Sequence, residues 1–93
     1  MSKFKSTMRK GFHMTFANGL TASVQWGAMN YCDNKELDFD LTSDAQSDTA
    51  EVAVFDDNGF VNLSEFLHIN DSVCGWLTPD QVVDFLYAVK NAK

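Results

Sequence analysis

Residues Gly11 to Gly27 alternate strictly between apolar and polar side chains. Phe12, Met14, Phe16, Leu20, Ala22, Val24 and Trp26 share one parity across Asn18-Gly19, and His13, Thr15, Thr21, Ser23 and Gln25 hold the other. A period of two suits a half-buried strand and cannot give a helix one apolar face, so the stretch is predicted to fold as a β-hairpin. Directly opposed residues share a face of the sheet, and that decides the loop length. A two-residue Asn18-Gly19 turn would set Phe16 against Thr21 and Met14 against Ser23, mixing the two sets. A three-residue loop, Ala17-Asn18-Gly19, pairs Phe16 with Leu20, Met14 with Ala22 and Phe12 with Val24. It also puts Gly19 at the left-handed position that such a loop requires.

A second hairpin is expected from Glu51 to Phe55 and Phe60 to Leu63, around Asp56-Asp57-Asn58-Gly59. Four loop residues pair Phe55 with Phe60, Val54 with Val61 and Val52 with Leu63, giving Val52, Val54, Val61 and Leu63 one common face. Ser64 to Ile69 reads as a short helical turn and Asn70-Asp71-Ser72 as a loop. Thr78-Pro79-Asp80-Gln81 then supplies an N-cap, a first-turn proline, a first-turn acid and a capping-box Gln, with Leu77 and Val82 placed as a hydrophobic staple. Val82, Phe85, Leu86 and Val89 follow at helical spacing, and Lys90 and Lys93 fall at the negative end of the helix dipole. The expected fold is therefore α+β: two β-hairpins forming a roughly four-stranded antiparallel sheet, with the C-terminal helix packed on one face. At 93 residues, this is one domain with a basic N-terminal tail (1–10) and an acidic connection (33–50).

Charge is distributed unevenly over that framework. Between Gly11 and Val89 stand all thirteen acids and a single basic residue, Lys35, so the stretch carries −12. Seven of the acids, Asp33, Glu36, Asp38, Asp40, Asp44, Asp48 and Glu51, fall within nineteen residues. Solubility does not require the removal of nearly every Lys and Arg, and uncompensated charge repels itself, so the pattern points to a cationic partner. Direct nucleic-acid binding is disfavoured, because phosphate contacts need clustered Lys and Arg. A hydrophobic content of 45% with eight Phe argues for a folded body beneath the charge. No apolar run approaches the roughly 18–20 residues of a membrane span, and Met1 to Lys10 lacks an apolar h-region, so a cytoplasmic protein with free Cys32 and Cys74 is expected.

The nearest match to a chemical motif is the segment around Asp56. With Gly59 at position six of a calcium-binding EF-hand loop, Asp56 and Asn58 fall on positions three and five and Glu65 on the bidentate twelfth. Position one is Val54, which has no side-chain oxygen, and a strand precedes it where an entering helix belongs. A metal-responsive module using Asp56, Asn58 and Glu65 is the weaker alternative; no metal or other cofactor is expected. His13, His68, Cys32 and Cys74 are too scattered for a closed zinc site. No Ser or Cys has a recognisable base context and there is no glycine-rich phosphate loop, so no enzyme is expected. Met29 and Tyr31, beside the acids, read as exposed interface residues, His13 as solvent-facing, and Trp76 as a core plug behind Leu77.

Phe12-His13-Met14-Thr15-Phe16-Ala17-Asn18-Gly19, Ser23-Val24-Gln25-Trp26-Gly27 and Asn30-Tyr31-Cys32-Asp33-Asn34 resemble small proteins of unassigned role carried by bacteriophages and mobile elements. The resemblance continues through Ala50 to Phe55 and Gly75 to Asp80. Phage accessory proteins of this size and acidity are similar to inhibitors of host defence, anti-CRISPR proteins among them. That resemblance implies a non-catalytic inhibitor in the host bacterial cytoplasm, occupying the basic nucleic-acid-binding surface of a defence component. The resemblance assigns no residue a role; from charge and composition, Asp33, Glu36, Asp38, Asp40, Asp44 and Asp48 are expected to imitate or compete with phosphates, and Met29 and Tyr31 to add apolar contact. A self-associating structural phage protein, with the aromatic set as its homomeric interface, is the third reading.

Overall fold

The computed structural model describes residues 3–8, 10–28, 30–35 and 46–92. Six strands form one antiparallel sheet among these residues: β1 (Phe4–Ser6), β2 (Gly11–Thr15), β3 (Thr21–Gln25), β4 (Ala50–Asp56), β5 (Gly59–Val61) and β6 (Val73–Leu77). A one-turn helix, α1 (Ser64–Leu67), precedes β6, and α2 (Pro79–Lys90) closes the chain. Strands run in the order β1-β2-β3-β4-β5, and β6 also pairs with β4. Because β3 fills one flank of β4, β5 and β6 lie end to end along the other, β5 on Val54 to Asp56 and β6 on Ala50 to Ala53. The α+β class with a C-terminal helix is as expected, with more strands than four.

The first hairpin adopts the three-residue loop. Phe12 pairs with Val24 and Met14 with Ala22; Phe16 N–H donates to Leu20 O at 2.9 Å, and Gly19 takes φ +88°. Asn18, at the tip, has a further role that spacing did not reveal. Its Nδ2 donates to the carbonyls of Val89 (2.8 Å) and Ala92 (2.9 Å) at the end of α2, supplying donors that a helix C-terminus lacks.

The second hairpin keeps the expected register, Phe55 with Phe60 and Val54 with Val61, but Asp56 and Gly59 pair as well, leaving Asp57-Asn58 as the turn. Val52 does not pair with Leu63. It pairs with Cys74 of β6, because β5 stops at Val61 and Asn62 Oδ1 accepts the N–H of Ser64 (2.8 Å), turning the chain into α1. Leu63 is nevertheless fully buried, as are Val52 and Val54. Residues Phe4 to Ser6 of the expected tail form the edge strand on β2, with Lys5 opposite His13. Lysines on an edge discourage pairing with another sheet.

The capping box at α2 is complete: Gln81 N–H donates to Thr78 Oγ1 (3.3 Å) and Thr78 N–H to Gln81 Oε1 (2.8 Å). Phe85 and Val89 are buried in one cluster with Ala22, Val24, Val52 and Val54 of the sheet. Each large side chain buried there contributes on the order of 1.5–3 kcal/mol. The opposite parity of β3 is covered too, contrary to a solvated polar face. Ser23 and Gln25 are buried, Gln25 donating to Ser23 Oγ (3.2 Å) and accepting from Thr7 Oγ1 (2.9 Å). His13 is half-buried, edge-on to Phe55 with ring centroids 5.1 Å apart. No helix among the described residues is long and apolar enough to cross a membrane.

Candidate functional site

Where β6 meets β4 the ladder is irregular. Ala50 pairs with Leu77 and Val52 with Cys74, so Gly75 and Trp76 together stand opposite Glu51. This is a β-bulge, which re-aims side chains at a sheet edge. Leu77 turns inward and is buried, while Trp76 points out and is 53% exposed. Its backbone takes φ +56°, a left-handed conformation that costs a non-glycine residue about 1–2 kcal/mol. Met8 and His68 share that sign of φ, but Met8 lies in a turn and His68 caps α1, where left-handed residues are usual. Trp76 lies within a strand. The expectation that it plugs the core is therefore wrong: the bulge reverses its direction.

Tyr31 lies against it. The two rings stack with centroids 5.8 Å apart and planes inclined by 28°, and Tyr31 is 45% exposed. Four contacts hold the pair in place. Trp76 N–H donates to Tyr31 O at 2.8 Å; Glu51 Oε2 accepts Tyr31 N–H at 2.9 Å and Oε1 accepts Asn30 Nδ2 at 3.2 Å; Asn30 Oδ1 accepts Gly27 N–H at 2.9 Å. Gly75 permits the approach, since a Cβ there would collide with Tyr31 Cβ and its carbonyl. The Lys35 ammonium stands 5.9 Å from the Tyr31 ring centroid, within cation–π range.

The next residues tie this loop to the segment before β4. Asp33 N–H donates to Thr49 Oγ1 (2.9 Å), and that hydroxyl donates to Asp33 Oδ1 (2.8 Å). Asn34 is buried, its Nδ2 donating to the carbonyls of Trp26 and Gln46, both at 2.7 Å. Asp33, Asn34, Gln46, Ser47 and Asp48 line an open polar depression of about 370 Å³. Ser47 and Asp48 also border an apolar groove of about 370 Å³ between Phe12 and Val24 of the sheet, with Trp26 just after β3, and Val82, Val83 and Leu86 of α2.

Of the contact residues expected from sequence, Tyr31 is exposed, and Asp33 and Asp48 border one depression. Met29, Glu36, Asp38, Asp40 and Asp44 lie outside the described residues. Trp76 was missed. The signal was Gly75, since a glycine inside a strand marks a bulge or a close approach.

The residues of the EF-hand alternative lie on the β4–β5 hairpin and the helical turn that follows it. Strand β4 runs through Val54, the position of the first ligand, where an EF-hand has a carboxylate; Asp56 Oδ1 accepts the N–H of Asn58 (2.8 Å), and Glu65 lies in the first turn of α1. Among the described residues no three His, Cys, Asp or Glu side chains converge as a metal site. Cys32 is buried, its thiol 3.7 Å from Gly27 O; burial and then Asp71 push the Cys74 thiol above its ordinary pKa, disfavouring the nucleophilic thiolate. No protein-family model, curated protein or solved structure matches the chain.

Proposed function

We propose that this chain is a non-catalytic binding protein that presents an acidic, aromatic surface to a basic, nucleic-acid-handling host protein, in the manner of a phage-encoded inhibitor of bacterial defence. The observation that carries the reading is Trp76, held outward on a bulge at φ +56° and stacked on exposed Tyr31. Backbone strain of this kind persists only where surrounding contacts impose it, and it clusters at functional sites. Exposed aromatic rings are common interface anchors, contributing area at low entropic cost.

Charge supplies the choice of partner. Asp33 and Asp48 flank this end of the sheet, within a stretch of −12 that would repel phosphate and attract Lys- and Arg-rich surfaces. The rings would supply residence time and the acids association rate, since rim charges act mainly on encounter. Capture from a bacterial lysate with the full chain as bait tests this. Basic nucleic-acid-binding proteins should be retained, released as salt rises, and lost with an Asp33→Lys/Asp48→Lys bait. Salt-insensitive capture, or capture unchanged by the charge reversal, overturns the proposal.

A further inference from the structure

Resting on that reading, we infer that the group this site takes from its partner is an arginine guanidinium, stacked on the exposed face of Trp76. Three observations separate this from other occupants. First, the Tyr31 and Trp76 planes differ by only 28°, which makes an open plate and not a cage. A cage of rings surrounds a rounded ammonium head, whereas a plate suits a planar group. Second, planar nucleobases arrive with phosphates, which are disfavoured by a chain of net charge −6 with exposed Asp33 and Asp48 at this end of the sheet. Third, the Tyr31 ring already has a cation, Lys35, at 5.9 Å, whereas Trp76 is 53% exposed.

Arginine also fits the carboxylates better than lysine does. The guanidinium is weakly hydrated and presents a fork of donors in the plane of its stack, so it can lie on the indole while directing N–H groups to neighbouring acids. A lysine ammonium keeps more of its hydration and responds to charge alone. Asp33, two residues from Tyr31, is an exposed candidate acceptor, with Oδ1 held by Thr49.

The test uses the full chain and two probes, an arginine homopeptide and a lysine homopeptide of equal length, titrated by calorimetry at fixed ionic strength. The arginine peptide should bind about three-fold more tightly, because its planar, weakly hydrated guanidinium stacks on an indole better than an ammonium does. Trp76→Gly should remove that preference by weakening the arginine peptide more than the lysine peptide, with the far-ultraviolet circular dichroism of the variant matching the parent. Trp76→Asn, which also tolerates a left-handed backbone, provides a second variant with the same expected loss. Equal affinity for both peptides overturns the arginine assignment while leaving a cation-binding protein. A preference that survives in both variants places the arginine elsewhere and also overturns it. If neither peptide binds, the cationic-partner reading falls with it.

Discussion

In the β2–β3 hairpin the residue that takes a left-handed backbone is a glycine, Gly19 at φ +88°; in the β4–β6 seam it is a tryptophan, Trp76 at φ +56°. The hairpin follows its local rules in register, loop and apolar face. Its apolar parity faces α2, its loop length matches its register, and its glycine stands where only glycine is unstrained. The seam breaks two rules at once, placing a strained backbone under a large aromatic residue and exposing the ring that burial would stabilise. Sequences agree with their folds across levels except where function requires otherwise, so the seam is where function should be sought.

That contrast predicts a split in mutational cost. The largest effect should come from Phe85, which lies buried beneath the sheet at 1% exposure. Phe85→Ala should cost about 3–5 kcal/mol in urea unfolding, whereas substitutions at the seam's exposed rings should cost far less. A comparable loss at both places would remove the distinction between scaffold and site. Next comes Asn18, whose side chain links the hairpin tip to the carbonyls at the end of α2. Asn18→Ala should lower stability by about 1–2 kcal/mol, and hydrogen exchange should locate the loss at the last turn of α2. A variant as stable as the parent would show the tip to be independent of the helix.

The smallest effect is a pH dependence on the hairpin's outer face. Burial, and then Lys5, hold His13 below the ordinary imidazole value of 6.5. The folded state therefore binds that proton less readily than the unfolded chain. The resulting contribution is fully present above about pH 6.5 and is lost as pH falls through the lower folded value. His13→Gln should flatten the decline in melting temperature from neutral to mildly acidic pH. An unchanged slope would assign that decline to other groups.

Much of the fold was legible because its signals are local. Register in the first hairpin follows from which residues must share a face, and the start of α2 is written in four consecutive residues, Thr78 to Gln81. Two strands escaped because their pairing is not written in their own side chains. Phe4, in β1, is 74% exposed, so no apolar alternation marks the strand; β6 finds its place only by displacing the expected Val52–Leu63 pair. The same non-local pairing hid half of the site. Composition marked Tyr31 and Asp33 as candidates, but the outward turn of Trp76 depends on a bulge opposite Glu51, more than twenty residues away in sequence.

The most direct measurement is the urea unfolding free energy of Trp76→Gly. Glycine relieves about 1–2 kcal/mol of left-handed strain while losing about 0.5–1.5 kcal/mol of ring stacking, so the variant should lie within about 1.5 kcal/mol of the parent. A loss of about 3–5 kcal/mol, the usual cost of truncating a buried tryptophan, would show that Trp76 is part of the core and contradict an outward, partner-facing ring.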